Sequence, residues 1–107
     1  MSEHVKKKEH DIKITVLRKV KTGDILKEYG ASTVTAECPA VKEGATYVST
    51  AGRIPDGFCG WAWADIQRDI AVLAFGGDFP WIKEKDTMIS CCTDGLRPVI
   101  FKLERVP

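Results

Sequence analysis

The chain has 107 residues, of which 44% are hydrophobic and 29% charged, and this composition excludes an intrinsically disordered protein. The length fits one domain, and the formal net charge of +1 gives no electrostatic reason to expect binding to nucleic acid or to an anionic membrane. The longest apolar run, residues 70–75, is too short to span a bilayer.

The N-terminal segment is polar and mixed in charge, and we predict a flexible tail over residues 1–10, followed by a single domain over residues 11–107. No apolar segment follows its lysines, so we expect no secretory signal and a cytoplasmic location. Both histidines, His4 and His10, lie in this tail. The rest of the chain therefore has no histidine for a His-dependent hydrolase mechanism or a His-rich metal site.

Alternation and turn residues predict the first elements of the domain. Ile12, Ile14 and Val16 alternate with polar residues, which is typical of a half-buried strand. We predict that Asp24 caps a short helix over residues 25–29.

The main helix is predicted over residues 60–75. Ile66 and Ile70 belong to an apolar stripe at helical spacing, while Asp65 and Asp69 fall on the polar side, where acidic residues are usually exposed to solvent. Gly-Gly at 76–77 ends the helix.

Three further strands are predicted, over residues 46–49, 87–92 and 98–105. The Thr-Asp-Gly sequence between the last two predicts a hairpin, and Arg97 beside Asp94 predicts a salt bridge in its turn. The sum is an α+β domain, in which a mainly antiparallel sheet of three to four strands carries one main helix packed on it.

The four cysteines are the groups with the most chemical capability. Cys38 precedes a proline, Cys59 opens the main helix, and Cys91 and Cys92 end a strand. The helix start predicts that the Cys59 sulfur faces backbone N–H groups, which favours the thiolate. Cys91 and Cys92 point to opposite faces of their strand, so we expect one to face the core and the other to be free for chemistry, and the alternation does not say which.

The spacing of the cysteines leaves three readings open. No C-x-x-C pair is present, and three dispersed thiols with an open fourth position suit a catalytic metal or an iron–sulfur cluster. Cysteines that only pack in the core, and a metal-free thiol redox site, are the alternatives.

An apolar loop, Phe79-Pro80-Trp81, follows the main helix. Together with edge strands it would form an interface, which predicts a non-catalytic homo-oligomer or a module that binds a protein partner.

Residues 52–106 resemble a family of small uncharacterised prokaryotic proteins through three motifs, GRIPDGFCGWAWADI, FGGDFPW and CCTDGLRPVIFKLERV. The upstream stretches DIKITVLRKV and ECPAVKEGATYV are similar to that family's first strand and Cys-led segment, so the likeness covers nearly the whole chain. It implies three shared cysteine positions, at Cys38, Cys59 and Cys92, with Cys91 as an extra one. Some relatives carry a histidine shortly after the first cysteine, where this chain has Lys42. The family has no established activity, so the resemblance implies no reaction.

Our leading hypothesis is a protein that binds a zinc ion or an iron–sulfur cluster through Cys38, Cys59 and Cys92. The reaction, and whether the protein is an enzyme, are left open by the sequence.

Overall fold

Residues 9–107, the part of the chain that the computed structural model describes, form four strands and two helices. Residues 1–8 of the predicted tail lie outside the described residues. In chain order the elements are β1 (Ile12–Lys19), α1 (Asp24–Tyr29), β2 (Thr46–Ser49), α2 (Gly60–Ala74), β3 (Thr87–Cys91) and β4 (Val99–Arg105).

The strands form one antiparallel sheet in the order β2-β1-β4-β3. The two central strands come from opposite ends of the chain, and Ile14 lies between Tyr47 of β2 and Leu103 of β4. The register shifts between Val16 and Arg18, which marks a bulge in β1. The pairing of β3 with β4 confirms the predicted hairpin.

Helix α2 covers one face of this sheet. Its apolar stripe includes Ile66, Ile70 and Leu73, each at most 1% exposed, against fully buried Ile14 and Phe101. Burying a side chain of this size contributes about 1.5–3 kcal/mol. The α+β prediction of a small antiparallel sheet with one main helix is confirmed. None of the helices in residues 9–107 has the length and apolar character needed to cross a bilayer.

Element ends differ from the predictions in two ways. The N-cap of α1 is Gly23 (φ 54°), no side chain caps the helix, and Asp24 is its first residue, so the predicted Asp24 cap is wrong. Strand β3 ends one residue earlier than predicted and strand β4 begins one residue later, so Cys92 and Pro98 lie in the segment that connects them.

The aspartates of α2 are less exposed than the polar side of a helix predicts. Asp69 is 6% exposed, accepts a hydrogen bond from Ser90 Oγ at 2.8 Å and lies 3.8 Å from Arg68 Nε. Its partner in β3 is 21 residues away in sequence, which is why the helical pattern alone gave the wrong expectation.

Candidate functional site

Three cysteines from separate parts of the chain line one cavity of about 510 Å³. Cys38 comes from the loop between α1 and β2, Cys59 from the N-cap of α2, and Cys92 from the segment after β3. A volume in this range is typical of a small-molecule or cofactor site. The fold thus brings the three predicted site residues to one place.

The pair Cys91–Cys92 divides as strand alternation requires. Cys92 is 7% exposed and lines the cavity, whereas Cys91 is exposed and points away from it. The core-facing residue of the pair is therefore also the one beside the other two thiols. Cys91 is neither packed in the core nor part of the cavity wall.

Cys59 is placed by a turn and by an aromatic anchor. Gly57, at φ 74°, completes a turn in which Phe58 N–H bonds to the Pro55 carbonyl at 3.2 Å. The Phe58 ring then packs edge-on against Tyr47, with ring centres 5.0 Å apart, and lies 5.6 Å from Phe101. This anchor holds Cys59 at the helix start, as predicted, but its sulfur accepts no capping hydrogen bond.

Cys92 is held by two backbone contacts to β4. Its N–H donates to the Val99 carbonyl at 3.1 Å, and Val99 N–H donates to Cys92 Sγ at 3.2 Å. Hydrogen bonds from backbone amides to cysteine sulfur are among the contacts that set the potential of iron–sulfur clusters.

The turn after Cys92 adds two charged residues to the cavity wall, Asp94 and Arg97. Arg97 Nε lies 3.4 Å from Asp94 Oδ2, which confirms the predicted salt bridge. Arg97 Nη1 also donates to Thr35 Oγ1 at 3.1 Å. From the sequence we predicted a turn salt bridge for this pair, with anion binding by Arg97 as the alternative, and both residues belong to the same CCTDGLR motif as Cys92.

The thiols surround the cavity without meeting at a point. Within residues 9–107 no three His, Cys, Asp or Glu side chains are grouped closely enough to hold a metal ion, and all four cysteines are free thiols. The cavity wall between the sulfurs is mainly apolar and includes Val41, Ala62, Val99 and Phe101.

The chain was compared with known proteins at three levels. No protein-family model matches it, and neither the curated proteins nor the solved structures give a match. The resemblance to the small prokaryotic family thus stays a prediction, and no relative assigns a role to the cavity.

Proposed function

We propose that the protein binds a cysteine-ligated metal centre in this cavity, an iron–sulfur cluster in preference to a single zinc ion. The observation that carries the proposal is that Cys38, Cys59 and Cys92 line the same cavity. In the sequence, 20 residues lie between Cys38 and Cys59, and 32 residues lie between Cys59 and Cys92.

The arrangement of the thiols favours a centre of several atoms. A structural zinc ion needs four ligands at about 2.0–2.3 Å, so its cysteine sulfurs must crowd around one point. The three sulfurs here instead border a volume of about 510 Å³, and no three His, Cys, Asp or Glu side chains of residues 9–107 are grouped closely enough to hold a metal ion. A cluster would spread its ligand sulfurs around several irons, so it demands less crowding of the thiols than a single ion does.

The surroundings of the thiols are compatible with such a centre. Val99 N–H donates to Cys92 Sγ, and the apolar side chains Val41 and Phe101 line the wall. Amide donors and burial are two means by which a protein adjusts the potential of a cluster. A reducing cytoplasm, where we place the protein, would keep the ligands as thiols before loading.

The proposal is tested by purifying the protein without oxygen and measuring iron, acid-labile sulfide and zinc per chain, together with the visible absorption spectrum. Each cavity cysteine is changed to serine in turn, Cys38→Ser, Cys59→Ser and Cys92→Ser. The matched control is Cys91→Ser, because Cys91 is adjacent in sequence but exposed and outside the cavity. Circular dichroism of each variant establishes that it is folded, and Cys92→Ala serves if the buried serine is not tolerated.

We expect iron and sulfide with a broad visible band in the wild type and in the Cys91 variant, and loss of both in the cavity variants. Full metal occupancy in the Cys59→Ser variant would contradict the proposal. Bound zinc without a visible band would show that the centre is a single ion and not a cluster. Metal-free protein with a reversible disulfide between two cavity cysteines would favour thiol redox chemistry.

A second candidate, a surface for a protein partner or a second copy, is favoured by the indole of Trp81. This side chain is 68% exposed and packs at a tilt against Phe79, with ring centres 5.3 Å apart and an angle of 56° between the ring planes. We expect Trp81→Ala to weaken any association seen by sedimentation velocity, with the equally exposed Tyr29→Ala as the control. A wild type that stays monomeric at high concentration and captures no partner would remove this candidate.

A further inference from the structure

In the cavity, hydrogen-bond donors are left without partners to a greater extent than acceptors are. This difference indicates what kind of ligand the cavity would bind. Apart from the three thiols and the indole N–H of the exposed Trp61, its polar side chains belong to the turn after β3, namely Thr93, Asp94 and Arg97. Their hydrogen bonds show which of these groups are already used by the protein itself.

The acceptors are used within the fold. Asp94 Oδ1 accepts the N–H groups of Leu96 at 3.1 Å and Arg97 at 3.2 Å, while Oδ2 faces the Arg97 guanidinium at 3.4 Å. Thr93 donates its N–H and its hydroxyl to Asp65. A ligand that brought only donors, such as an ammonium group, would have to displace these contacts.

The donors are not used to the same extent. Arg97 donates through Nη1 to Thr35, and its buried Nε faces Asp94 Oδ2 at 3.4 Å without forming a hydrogen bond, but no acceptor in the described part of the chain bonds to Nη2. A guanidinium carries five N–H donors in a planar fork that matches a carboxylate. The N–H donors of Nη2 are therefore the ones left for an acceptor that a ligand would bring.

The remaining wall is mainly apolar. Val41, Ala62, Val99 and Phe101 are each at most 7% exposed and border the cavity together with Pro39 and Ala40. Mainly apolar walls with a few placed polar groups are typical of sites for small organic molecules. A phosphate, which takes several donors around all its oxygens, would leave this apolar wall without a partner.

We infer that the cavity binds a small organic acid, with its carboxylate on the Arg97 guanidinium and its hydrocarbon part against the apolar wall. The inference rests on the proposed function in so far as the acid would lie beside the thiol-ligated centre. Arg97 is the residue that selects the charge of the ligand, and the wall selects its apolar body.

The test is isothermal titration calorimetry of the protein as purified, with butyrate, benzoate and 2-hydroxybutyrate as probes. Butyramide and benzamide are the matched controls, because they keep shape and volume but lack the charge. The same titrations are run on Arg97→Gln and Arg97→Lys, and on Arg53→Gln, which makes the same change at an exposed arginine outside the cavity. Thermal melting shows that each variant is folded, and iron content is measured in every sample.

We expect at least one acid to bind and its amide not to bind. Loss of a charge-assisted contact should raise the dissociation constant in Arg97→Gln by about tenfold or more, while Arg53→Gln should bind as the wild type does. The inference is overturned if no acid binds, if amides bind as well as acids, or if Arg97→Gln binds like the wild type. Because iron is measured separately, iron-loaded protein that binds no acid rejects only this inference, and acid binding by iron-free protein rejects only the proposed centre.

Discussion

The carboxylate of Asp65 accepts two hydrogen bonds from Thr93, one from its backbone N–H at 2.7 Å and one from Oγ1 at 2.9 Å. Thr93 directly follows Cys92, and Asp65 lies on the helix whose N-cap is Cys59. Helix α2 therefore fixes the position of Cys59 relative to Cys92. Cys59 stands at the start of the helix, and the Asp65 side chain binds Thr93, the residue after Cys92.

We predict that Asp65→Ala lowers the free energy of unfolding by about 1–3 kcal/mol, because two hydrogen bonds to a charged acceptor are lost. It should also make Cys92 easier to alkylate in the native protein. Urea unfolding and mass spectrometry of iodoacetamide-treated protein measure the two effects. Gln67→Ala, an exposed position on the same helix, should change neither. Equal stability of the two variants would contradict the anchoring role of Asp65.

Arg105, at the end of β4, ties the C-terminal end of α2 to the following loop. Its Nη1 donates to the carbonyls of Leu73 and Gly77, both at 2.8 Å, and its other nitrogens bond to Asp78 and Asp86. The side chain is 9% exposed, so these partners hold a largely buried charge.

We predict that Arg105→Lys destabilises the protein by about 1–3 kcal/mol, because an ammonium group cannot reproduce the planar set of donors and leaves the partly buried carbonyl acceptors without partners. Thermal and denaturant unfolding measure the change. Arg53→Lys is the control, since it makes the same substitution at an exposed site. A loss of stability no larger than that of the control would show that the network around Arg105 adds little.

Stability at low pH should depend on Asp78. The N–H of Asp86 donates to its Oδ1 at 2.8 Å, and this bond, with a further contribution from Arg105, lowers the pKa of Asp78 below its usual 3.8. The unfolded chain therefore binds the proton at higher pH than the folded one does, so this contribution to stability is complete above 3.8 and is lost as the pH falls through the lowered pKa.

Asp78→Asn removes this titration, and we expect the stability difference between wild type and variant to be constant above pH 3.8 and to shrink below it. Denaturant unfolding as a function of pH measures the difference. A difference that stayed the same down to full protonation would mean that the pKa of Asp78 is not altered by folding.

The four thiols should react in an order set by their exposure. In metal-free native protein we expect Cys91 to react first with a thiol reagent, Cys38 and Cys59 to follow, and Cys92 to react last, because it is only 7% exposed. Stopped-flow labelling with peptide mapping gives the order. Cys91→Ser should abolish the fast phase alone, and a fast phase that survives in this variant would contradict the exposure of Cys91.

Local patterns were enough to predict most elements of the fold. The alternation of Ile12, Ile14 and Val16 indicated β1, and the stripe through Ile66 and Ile70 indicated α2, because residues spaced by the period of a strand or helix share one face. The Asp24 cap was wrong for a local reason as well, since Gly23 adopts the backbone conformation that begins α1.

The candidate site depended on contacts that no local pattern contains. Cys38, Cys59 and Cys92 line one cavity because the loop before β2, the start of α2 and the segment after β3 lie together in the fold, and neither the spacing of the cysteines nor their flanking residues specify this. Arg105 follows the inward alternation of β4, yet its partners lie 19 to 32 residues away, so its role was not visible in the sequence. The resemblance chose Cys92 over Cys91, and exposure in the fold agrees with that choice.

The central position of the β1–β4 pair has a consequence for synthesis of the protein. Strand β1 is synthesised before its partner on one side, β4, and all the other described helices and strands lie between the two in chain order. Until β4 is made, β1 can pair only with the four-residue β2, and Ile14 and Val16 lack their β4 partners, Leu103 and Phe101. Pairing over so long a sequence separation is slow, and unpaired strand edges favour aggregation. A nascent chain stalled before β4 would therefore be a natural client for a chaperone.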